Sequence, residues 1–447
     1  MLHYVLAGEY SLLALHQHNS TLYPFLLESV AKGANARFSI LFAYPQQRLA
    51  SHVIGDAQFL TELQNQWQQT AAQPKLNNSI PDLYELPFKG GWFVYLGYEM
   101  AQSIEPVLRL TPDVQTLPLA CAVRIPVAVI VDHQLHKTHV IAEPDFAEEF
   151  NELKQMLSNQ VVGLVAEQTA LQSVLMQEDA PERFIQGVEQ AKEYIAAGDV
   201  FQVNLSRAWQ GYTDLSASVL YQQLRQANPA PFAGLADFGD FSIISSSPER
   251  LVRVRAGVVE TRPIAGTRSR GKNEAEDLRL LQELINHPKE RAEHVMLIDL
   301  ERNDMGRICR YGSIKVDEMM VIESYQHVHH IVSNIRGELA AQITPSQVLQ
   351  AVFPGGTITG CPKVRCMEII AELEQTGRGA YTGSMGYINH DGSMDVNILI
   401  RTLTLKNQHL VFRTGAGIVM DSVPQNELKE TRHKARGLLR ALGDYHA

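Results

Sequence analysis

Two pairs of glutamates in the C-terminal half of the chain have the spacing of a cation site. Glu290 and Glu293 lie three residues apart in KERAEHVMLI, and Glu427 and Glu430 lie three residues apart in NELKETRHK. In a helix this spacing places both members of a pair on one face. Carboxylate oxygens suit a hard cation, and Mg²⁺ usually keeps waters and is completed by an anionic ligand. Such acidic pairs are more often solvated surface, but the first pair runs into the apolar VMLI, which favours a helix that enters the core.

Glycine-rich turns in the same half of the chain could supply the donors that an acidic ligand needs. FPGGTITGCPK covers residues 353–363, and RTGAG covers residues 413–417. Backbone N–H groups in such turns can face an anion. Neither turn matches the GxxxxGK[ST] pattern for nucleotide phosphates, because Lys363 follows a proline. The pattern therefore indicates a carboxylate ligand, although a plain turn is the simpler interpretation of either segment alone.

The composition is that of an ordinary globular protein. Of the 447 residues, 45% are hydrophobic and 20% are charged, and 39 basic against 49 acidic residues give a net charge of -10. No basic run could follow a phosphate backbone, so no nucleic-acid partner is expected. Four cysteines without CxxC spacing, and the lack of a signal-peptide pattern or of about 18 consecutive apolar residues, predict a cytoplasmic protein with reduced thiols and no membrane partner.

Periodicity predicts two regions, an N-terminal one of residues 1–165 and a second one of residues 180–447. The first contains strand-like runs such as FSILFAYP (38–45) and a predicted hairpin at 127–142. The second begins with a predicted helix, PERFIQGVEQAKEYIAAGD, that ends at Gly198. Further helical segments alternate with strands there, without a regular βαβ rhythm. We therefore predict a mixed α+β fold.

Nine segments together resemble a known family. They are SSSPERLV (245–252), ETRPIAGTRSRG (260–271), RAEHVMLIDLERNDMGR (291–307), HVHHIVS (327–333), GGTITGCPKVRCMEII (355–370), YTGSMGYI (381–388), ILIRT (398–402), GAGIV (415–419) and NELKETRHK (426–434). In this order and spacing they resemble the chorismate-binding domain of the anthranilate synthase, aminodeoxychorismate synthase and isochorismate synthase group. The resemblance implies antiparallel sheets packed in a sandwich with helices outside, and two regions packed as one unit.

The resemblance also implies a chorismate site with Mg²⁺ as cofactor. Glu293 and Glu430 would bind the metal directly, with Glu290 and Glu427 in the same cluster, and the metal would hold the ring carboxylate. The groups for the second, enolpyruvyl carboxylate would be Arg401, Tyr381, Lys434 and the backbone at Gly415 and Gly417. The residues lining the ring would be Gly266, Thr267 and Thr357. A planar guanidinium suits such charge-assisted binding of a carboxylate.

Two further residues resemble catalytic groups of the family. Glu249 matches the general acid, which hands a proton to the departing C4 hydroxyl and must therefore be kept protonated near neutral pH by burial. His330 matches a histidine beside the ring. Strand histidines often only satisfy hydrogen bonds, so a direct chemical role and a structural role for His330 both stay open.

Gln202, in VFQVNLS, stands where the hydrating members of the family carry a lysine that activates water. A neutral amide is a poor base, so attack by ammonia is favoured over hydration. No glutaminase signature is visible, since Cys361 precedes a proline in a substrate turn. We therefore expect a separate glutamine amidotransferase partner that supplies ammonia.

The product is less clear than the substrate. QVNLS, NPAPFAGLADF, VHHIVS, GGTITGCPK and MDVNILIRT resemble the aminodeoxychorismate branch, which serves folate and p-aminobenzoate synthesis. Against it stands Ala265 in PIAGT, because some members of that branch have a nucleophilic lysine there and a methyl group cannot attack. Anthranilate synthase is therefore the alternative, and a non-catalytic ligand-binding or assembly protein is an alternative of another class.

LLES, residues 26–29, resembles the segment through which family members bind tryptophan. Ser29 is therefore a candidate contact for an indole ligand. NPAPF replaces the residues of the feedback site, which argues against inhibition. The alternative is that LLES is a helix that packs Leu26 and Leu27 into the core.

Overall fold

A computed structural model describes residues 1–31, 36–71, 85–159, 173–324 and 328–443, with the backbone alone at Thr267, Lys289 and Val328. The strands in these ranges are β1 (Leu2–Ala7), β2 (Phe25–Glu28), β3 (Phe38–Ala43), β4 (Arg48–Ser51), β5 (Gly91–Leu96), β6 (Ala120–Ile125), β7 (Val127–Asp132), β8 (Lys137–Ala142), β9 (Met176–Glu178), β10 (Gln202–Tyr212), β11 (Phe232–Asp237), β12 (Ser242–Ser247), β13 (Arg250–Arg255), β14 (Val258–Thr261), β15 (Ile264–Ser269), β16 (Lys315–Ser324), β17 (Val328–Glu338), β18 (Gly360–Cys361), β19 (Ser384–Asn389), β20 (Met394–Asn397), β21 (Thr402–Lys406) and β22 (His409–Ile418).

The α-helices in the same ranges are α1 (Leu12–His18), α2 (Gln58–Ala71), α3 (Ala101–Ile104), α4 (Ala147–Ser158), α5 (Pro181–Ala197), α6 (Ala217–Ala227), α7 (Glu274–Asn286), α8 (Pro288–Gly306), α9 (Pro345–Val352), α10 (Lys363–Glu374) and α11 (Pro424–Ala441). None of these helices is both long enough and apolar enough to cross a lipid bilayer. The four cysteines are free thiols.

The described strands form two antiparallel sheets. The first has the order β1-β8-β7-β3-β2-β11-β12-β21-β22-β10-β18, with β9 beside β10. The second has the order β15-β17-β14-β13-β20-β19-β5-β6-β4, with β16 beside β17. Strands from before and after the predicted boundary pair within both sheets, as β2 does with β11 and β5 with β19. The division at 165–180 stays a prediction, and residues 160–172 lie outside the described ranges.

Aromatic and aliphatic side chains join the two sheets face to face. Phe25 of the first sheet stacks on Phe93 of the second, with ring centroids 4.3 Å apart, and both side chains are buried. Such rings each bury a large apolar area, which makes them effective contacts between sheets. The outer face of the first sheet is covered by α1, α4, α6 and α11, and that of the second by α2, α8 and α9. The predicted α+β sandwich with helices outside is therefore confirmed.

Local sequence signals predicted several elements correctly. The run at 38–45 forms β3, the hairpin at 127–142 forms β7 and β8, and α5 ends at Gly198, whose φ of +83° is the left-handed conformation that favours glycine. The helical alternative for LLES is wrong, because this segment forms most of β2. Leu26 packs against the outer helices, whereas Leu27 packs between the sheets, as the alternation of side chains along a strand requires.

Candidate active site

The site lies at a corner of the sandwich where the chain passes between sheets. Glu249 sits between β12 of the first sheet and β13 of the second, and Arg401 sits between β20 and β21 of the same two sheets. The Ile398 N–H donates to the carbonyl of Glu249 at 3.0 Å, and the Ser246 N–H donates to the carbonyl of Arg401 at 3.1 Å. Arg401 has a backbone φ of +52°, which is uncommon for a residue with a side chain. The two sheets thus hold both residues side by side.

The environment of Glu249 suits a proton donor. Its side chain is 5% exposed, and burial raises its pKa to about 7, with the hydroxyl of Thr357 opposing this rise and the carboxyl of Glu301 adding to it. Among the described residues, neither Oε1 of Glu249 nor the Thr357 hydroxyl reaches a hydrogen-bond partner. A carboxyl that keeps its proton near neutral pH can act as a general acid.

His330 lies close to this corner. It is 3% exposed on β17, and its Cα pairs with that of Thr267 on β15. Burial lowers its pKa to about 4, and Arg401 lowers it further, while the backbone of Gly266 opposes the shift. His330 is therefore uncharged at neutral pH, and its direct role in chemistry stays a prediction. The side chain of Thr267 lies outside the description.

The predicted carboxylate-binding groups meet on β22. Lys434 Nζ donates to the Gly415 carbonyl at 2.9 Å. A Cβ at Gly415 would lie 2.8 Å from the Tyr381 hydroxyl, which shows how closely that phenol approaches the strand. Burial raises the pKa of Tyr381 to about 12, with Arg378 opposing the rise, so the hydroxyl keeps its proton and can donate it in a hydrogen bond.

Gln202 and Thr357 approach the same end of β22. The Gln202 Nε2 packs against Gly417, and its Oε1 is buried without a hydrogen-bond partner in the described part of the chain. Asn204, on the same strand as Gln202, donates from Nδ2 to the Thr357 carbonyl at 3.0 Å. The structure thus places a neutral, unsatisfied amide oxygen beside the predicted substrate turns.

The four predicted metal ligands lie on two helices. Glu290 and Glu293 belong to α8, and Glu427 and Glu430 belong to α11. Arg268 Nη1 pairs with Glu290 at 3.1 Å, and Lys434 Nζ pairs with Glu430 at 2.8 Å.

The chemistry of these four carboxylates suits Mg²⁺, but their arrangement does not form a ligand set. Within the residues described, no three His, Cys, Asp or Glu side chains lie close enough together to hold a metal ion. Two of the four carboxylates instead neutralise neighbouring cations. The Mg²⁺ assignment therefore stays a prediction.

Ser29 borders a different cavity, of about 400 Å³, between the two sheets. Its hydroxyl donates to the Pro231 carbonyl at 3.4 Å. The wall includes Arg250 and Asp395, which pair at 2.8 Å, but none of the predicted catalytic residues. Tryptophan binding at Ser29 stays a prediction, for which this cavity offers a place.

Comparison with known proteins decides the family. A family model described as "chorismate binding enzyme" matches residues 24–440. This chain is a chorismate-binding enzyme. It is 43% identical over 379 residues to "Aminodeoxychorismate synthase component 1" of Bacillus subtilis, covering 83% of this chain and 79% of the relative. It is 39% identical over 428 residues to "Anthranilate synthase component 1" of Thermus thermophilus, covering 94% and 92%.

The fold agrees with this membership. The crystal structure of anthranilate synthase component I from Streptococcus pneumoniae superposes with a TM-score of 0.80 at 33% identity, covering 92% of this chain and 93% of that one. The protein is thus a chorismate-utilising enzyme of the anthranilate synthase or aminodeoxychorismate synthase component I type. Relatives of both names match at similar identity, so the comparisons leave the choice between the two reactions open.

This chorismate-binding enzyme also has a buried ionic cluster that the sequence analysis missed. Glu374 accepts from Arg378 at 2.6 Å and from Arg413 at 2.9 Å, and the three side chains are at most 6% exposed. Arg378 also donates to the Asn204 carbonyl at 2.7 Å and lies 5.7 Å from the centre of the Tyr381 ring. The cluster therefore supports Tyr381 from behind. No helical spacing signalled this cluster, because Arg378 lies beyond the end of α10 at Glu374.

Proposed function

We propose that this chain is an aminodeoxychorismate synthase component 1, which exchanges the C4 hydroxyl of chorismate for an amino group. The observation that carries the proposal is the buried Glu249, whose pKa is raised to about 7, in a site where Gln202 is uncharged. The first residue can protonate a departing hydroxyl, and the second cannot deprotonate a water. This combination favours amination over hydration.

The chain's own residues account for the proposed proton transfers. Glu249 donates its proton to the C4 hydroxyl oxygen, the C–O bond breaks, and water leaves. Ammonia forms the new C–N bond and gives up one proton, which restores the acid. Overall, chorismate and ammonia give 4-amino-4-deoxychorismate and water. Arg401, Lys434 and the Tyr381 hydroxyl supply charge-assisted and neutral hydrogen bonds to a carboxylate of the substrate.

Ammonia would be provided by a glutamine amidotransferase subunit. The relatives named component 1 are consistent with a second component, and no glutaminase motif occurs in this chain. The unsatisfied Gln202 Oε1 offers an acceptor for an N–H of the incoming ammonia. The product would feed p-aminobenzoate and folate synthesis.

Mg²⁺ is proposed as the cofactor, with Glu290, Glu293, Glu427 and Glu430 as the residues that would hold it. When bound, it would neutralise the ring carboxylate of chorismate. The ion would have to replace Arg268 at Glu290 and Lys434 at Glu430, since these cations now pair with the carboxylates. The proton steps above do not pass through the metal.

Anthranilate synthase is the second candidate, and Ala265 favours it. This residue on β15 precedes Gly266 and offers only a methyl group where some aminodeoxychorismate synthases carry a nucleophilic lysine. In that reaction ammonia would add at C2 as the C4 hydroxyl leaves as water, and pyruvate would then be eliminated to give anthranilate.

A product assay separates the two reactions. Purified protein is incubated with chorismate, MgCl₂ and a high concentration of ammonium chloride near neutral pH, and the products are resolved by chromatography with and without added aminodeoxychorismate lyase. The proposal predicts p-aminobenzoate only when the lyase is added. Fluorescent anthranilate without the lyase would establish the alternative, and unconsumed chorismate would refute both. The Glu249→Gln variant serves as the matched control.

A further inference from the structure

A second buried carboxyl lies behind the proton donor. Glu301 of α8 is 4% exposed, and its Oε2 accepts from the Thr261 hydroxyl at 3.0 Å. Its Oε1 lies against the backbone of Gly356, because a Cβ at that glycine would be 3.4 Å away. Buried carboxylates are rare unless they are paired or hydrogen-bonded, so both contacts require an explanation.

Both segments that contact Glu301 also contact Glu249. In the first, the Thr261 hydroxyl donates to Glu301, and the backbone of Ile264, three residues later, lies near the Glu249 carboxyl and lowers its pKa. In the second, Gly356 touches Glu301, and Thr357, the next residue, faces Glu249. Glu301 and Glu249 therefore share two connecting segments, one of four residues and one of two.

The neighbouring turn of α8 restrains the same loop. Asp304 forms a short ion pair with Lys363 Nζ, and Lys363 also donates to the Val352 carbonyl at 3.3 Å. Asp304 thus holds the two ends of the FPGGTITGCPK loop, while Glu301 holds its middle at Gly356. A loop restrained at three points can present Thr357 to Glu249 in one fixed position.

We propose that Glu301 is a positioning residue of the reaction, which acts by holding the Thr261–Ile264 segment and the Gly356–Thr357 turn around the proton donor Glu249. This inference rests on the proposed function, in which Glu249 is the general acid. Glu301 itself contacts none of the residues proposed to bind the carboxylates of chorismate, so its removal should affect turnover more than substrate binding.

The charges around the pair give a signature that a purely structural role would not. Glu249 faces Glu301, Lys434 and Arg401, and Glu301 faces Asp304 and Lys363. Burial, with the Asp304 charge, also raises the pKa of Glu301 to about 7, so Glu301 is charged on the alkaline side of that value. There its charge raises the pKa of Glu249, and Lys434 lowers it. When the Glu301 charge is removed, the pKa of Glu249 falls. Because the acid works only when protonated, activity is then lost at a lower pH.

The experiment is the pH profile of kcat for Glu301→Gln, measured with chorismate at fixed concentrations of unprotonated ammonia. We expect the alkaline limb of the kcat profile to shift to lower pH by about half a pH unit. This shift lowers kcat at alkaline pH about threefold, and KM for chorismate stays unchanged. Asp299→Asn, which removes an exposed charge from the same helix, should keep the wild-type profile. A Glu301→Gln limb that coincides with the wild-type limb would overturn the inference.

Thr261→Val is the second variant, in case Glu301→Gln does not fold. This substitution removes one hydrogen bond to Glu301 and keeps the Glu301 charge. We therefore expect kcat to fall while the alkaline limb of its pH profile stays at the wild-type pH. An unchanged kcat would contradict the positioning role. If the wild-type protein consumes no chorismate, the proposed function itself fails, which distinguishes that outcome from a failure of this inference alone.

Discussion

Glu249 and Arg401 lie on two neighbouring segments that are joined by two backbone hydrogen bonds. The Ile398 N–H donates to the Glu249 carbonyl at 3.0 Å, and the Ser246 N–H donates to the Arg401 carbonyl at 3.1 Å. Both sheets therefore hold the proposed proton donor Glu249 and the guanidinium-bearing Arg401 in fixed positions relative to each other. Neither residue can move far without breaking a contact between the sheets. Such preorganisation lets charged groups act on a reacting centre without rearranging first.

Glu249→Gln tests the proton donor directly. The substitution keeps the shape of the side chain but offers no acidic proton, so kcat should fall about 10²–10⁴-fold while chorismate still binds. Since burial raises the pKa of Glu249 to about 7, wild-type kcat at a fixed concentration of unprotonated ammonia should decline as the pH rises through that value. Steady-state kinetics and a chorismate titration measure both effects. A near-normal rate would remove Glu249 from the mechanism.

Glu430→Ala tests the proposed metal site. Loss of one carboxylate should abolish turnover and reduce the increase in melting temperature that Mg²⁺ produces in the wild-type protein. The melting temperature provides a readout that does not depend on activity. Gln425→Ala, at an exposed position of the same helix, is the control and should behave like wild type. Identical Mg²⁺ titrations of Glu430→Ala and wild type would refute the assignment.

Gln202→Lys tests the discrimination between ammonia and water. A lysine beside Gly417 would place an amine where the hydrating members of the family carry one, so amination should fall and a hydration product should appear. Chromatography of reactions with and without ammonium measures the two products. Gln210→Lys, on the same strand but hydrogen-bonded to His409, should leave the product unchanged. A normal amination rate in Gln202→Lys would show that the amide is not needed.

Gly415→Ala tests the close approach at the carboxylate site. The added methyl group would lie 2.5 Å from the Leu205 carbonyl oxygen and 2.8 Å from the Tyr381 hydroxyl. Because these distances are shorter than a van der Waals contact, the backbone of β10 or β22 must shift. We expect a stability loss of about 1–3 kcal/mol in urea unfolding and a higher KM for chorismate. Gly306→Ala, where the methyl group meets no atom within 4 Å, is the matched control. Equal stability and KM in both variants would contradict this geometry.

A tryptophan titration tests the cavity at Ser29. If the amino acid binds there, it should raise the melting temperature of the wild-type protein and leave kcat unchanged. Ser29→Phe, which fills part of the cavity of about 400 Å³, should abolish that rise. If the melting temperature still rises in Ser29→Phe, tryptophan binds elsewhere. If it rises in neither protein, tryptophan does not bind in this cavity.

Local signals in the sequence were sufficient for much of the fold. The polar centre between the apolar halves of 127–142 and the terminal glycine of α5 are local signals, and both predictions are confirmed. The order and spacing of the nine segments also determined the family, because together they encode one set of site residues. The strand at LLES was missed, since a short apolar run is ambiguous until its partners β3 and β11 are known.

By itself, then, the sequence determined the family and the α+β class, and it predicted Glu249 as the proton donor. Only the tertiary structure decided that Arg268 pairs with the predicted metal ligand Glu290 and that Glu301 lies behind Glu249. The physical reason is distance along the chain. Thr261 and Glu301 are 40 residues apart, and Asn204 and Thr357 are 153 apart, so no local pattern of residues reveals that they touch.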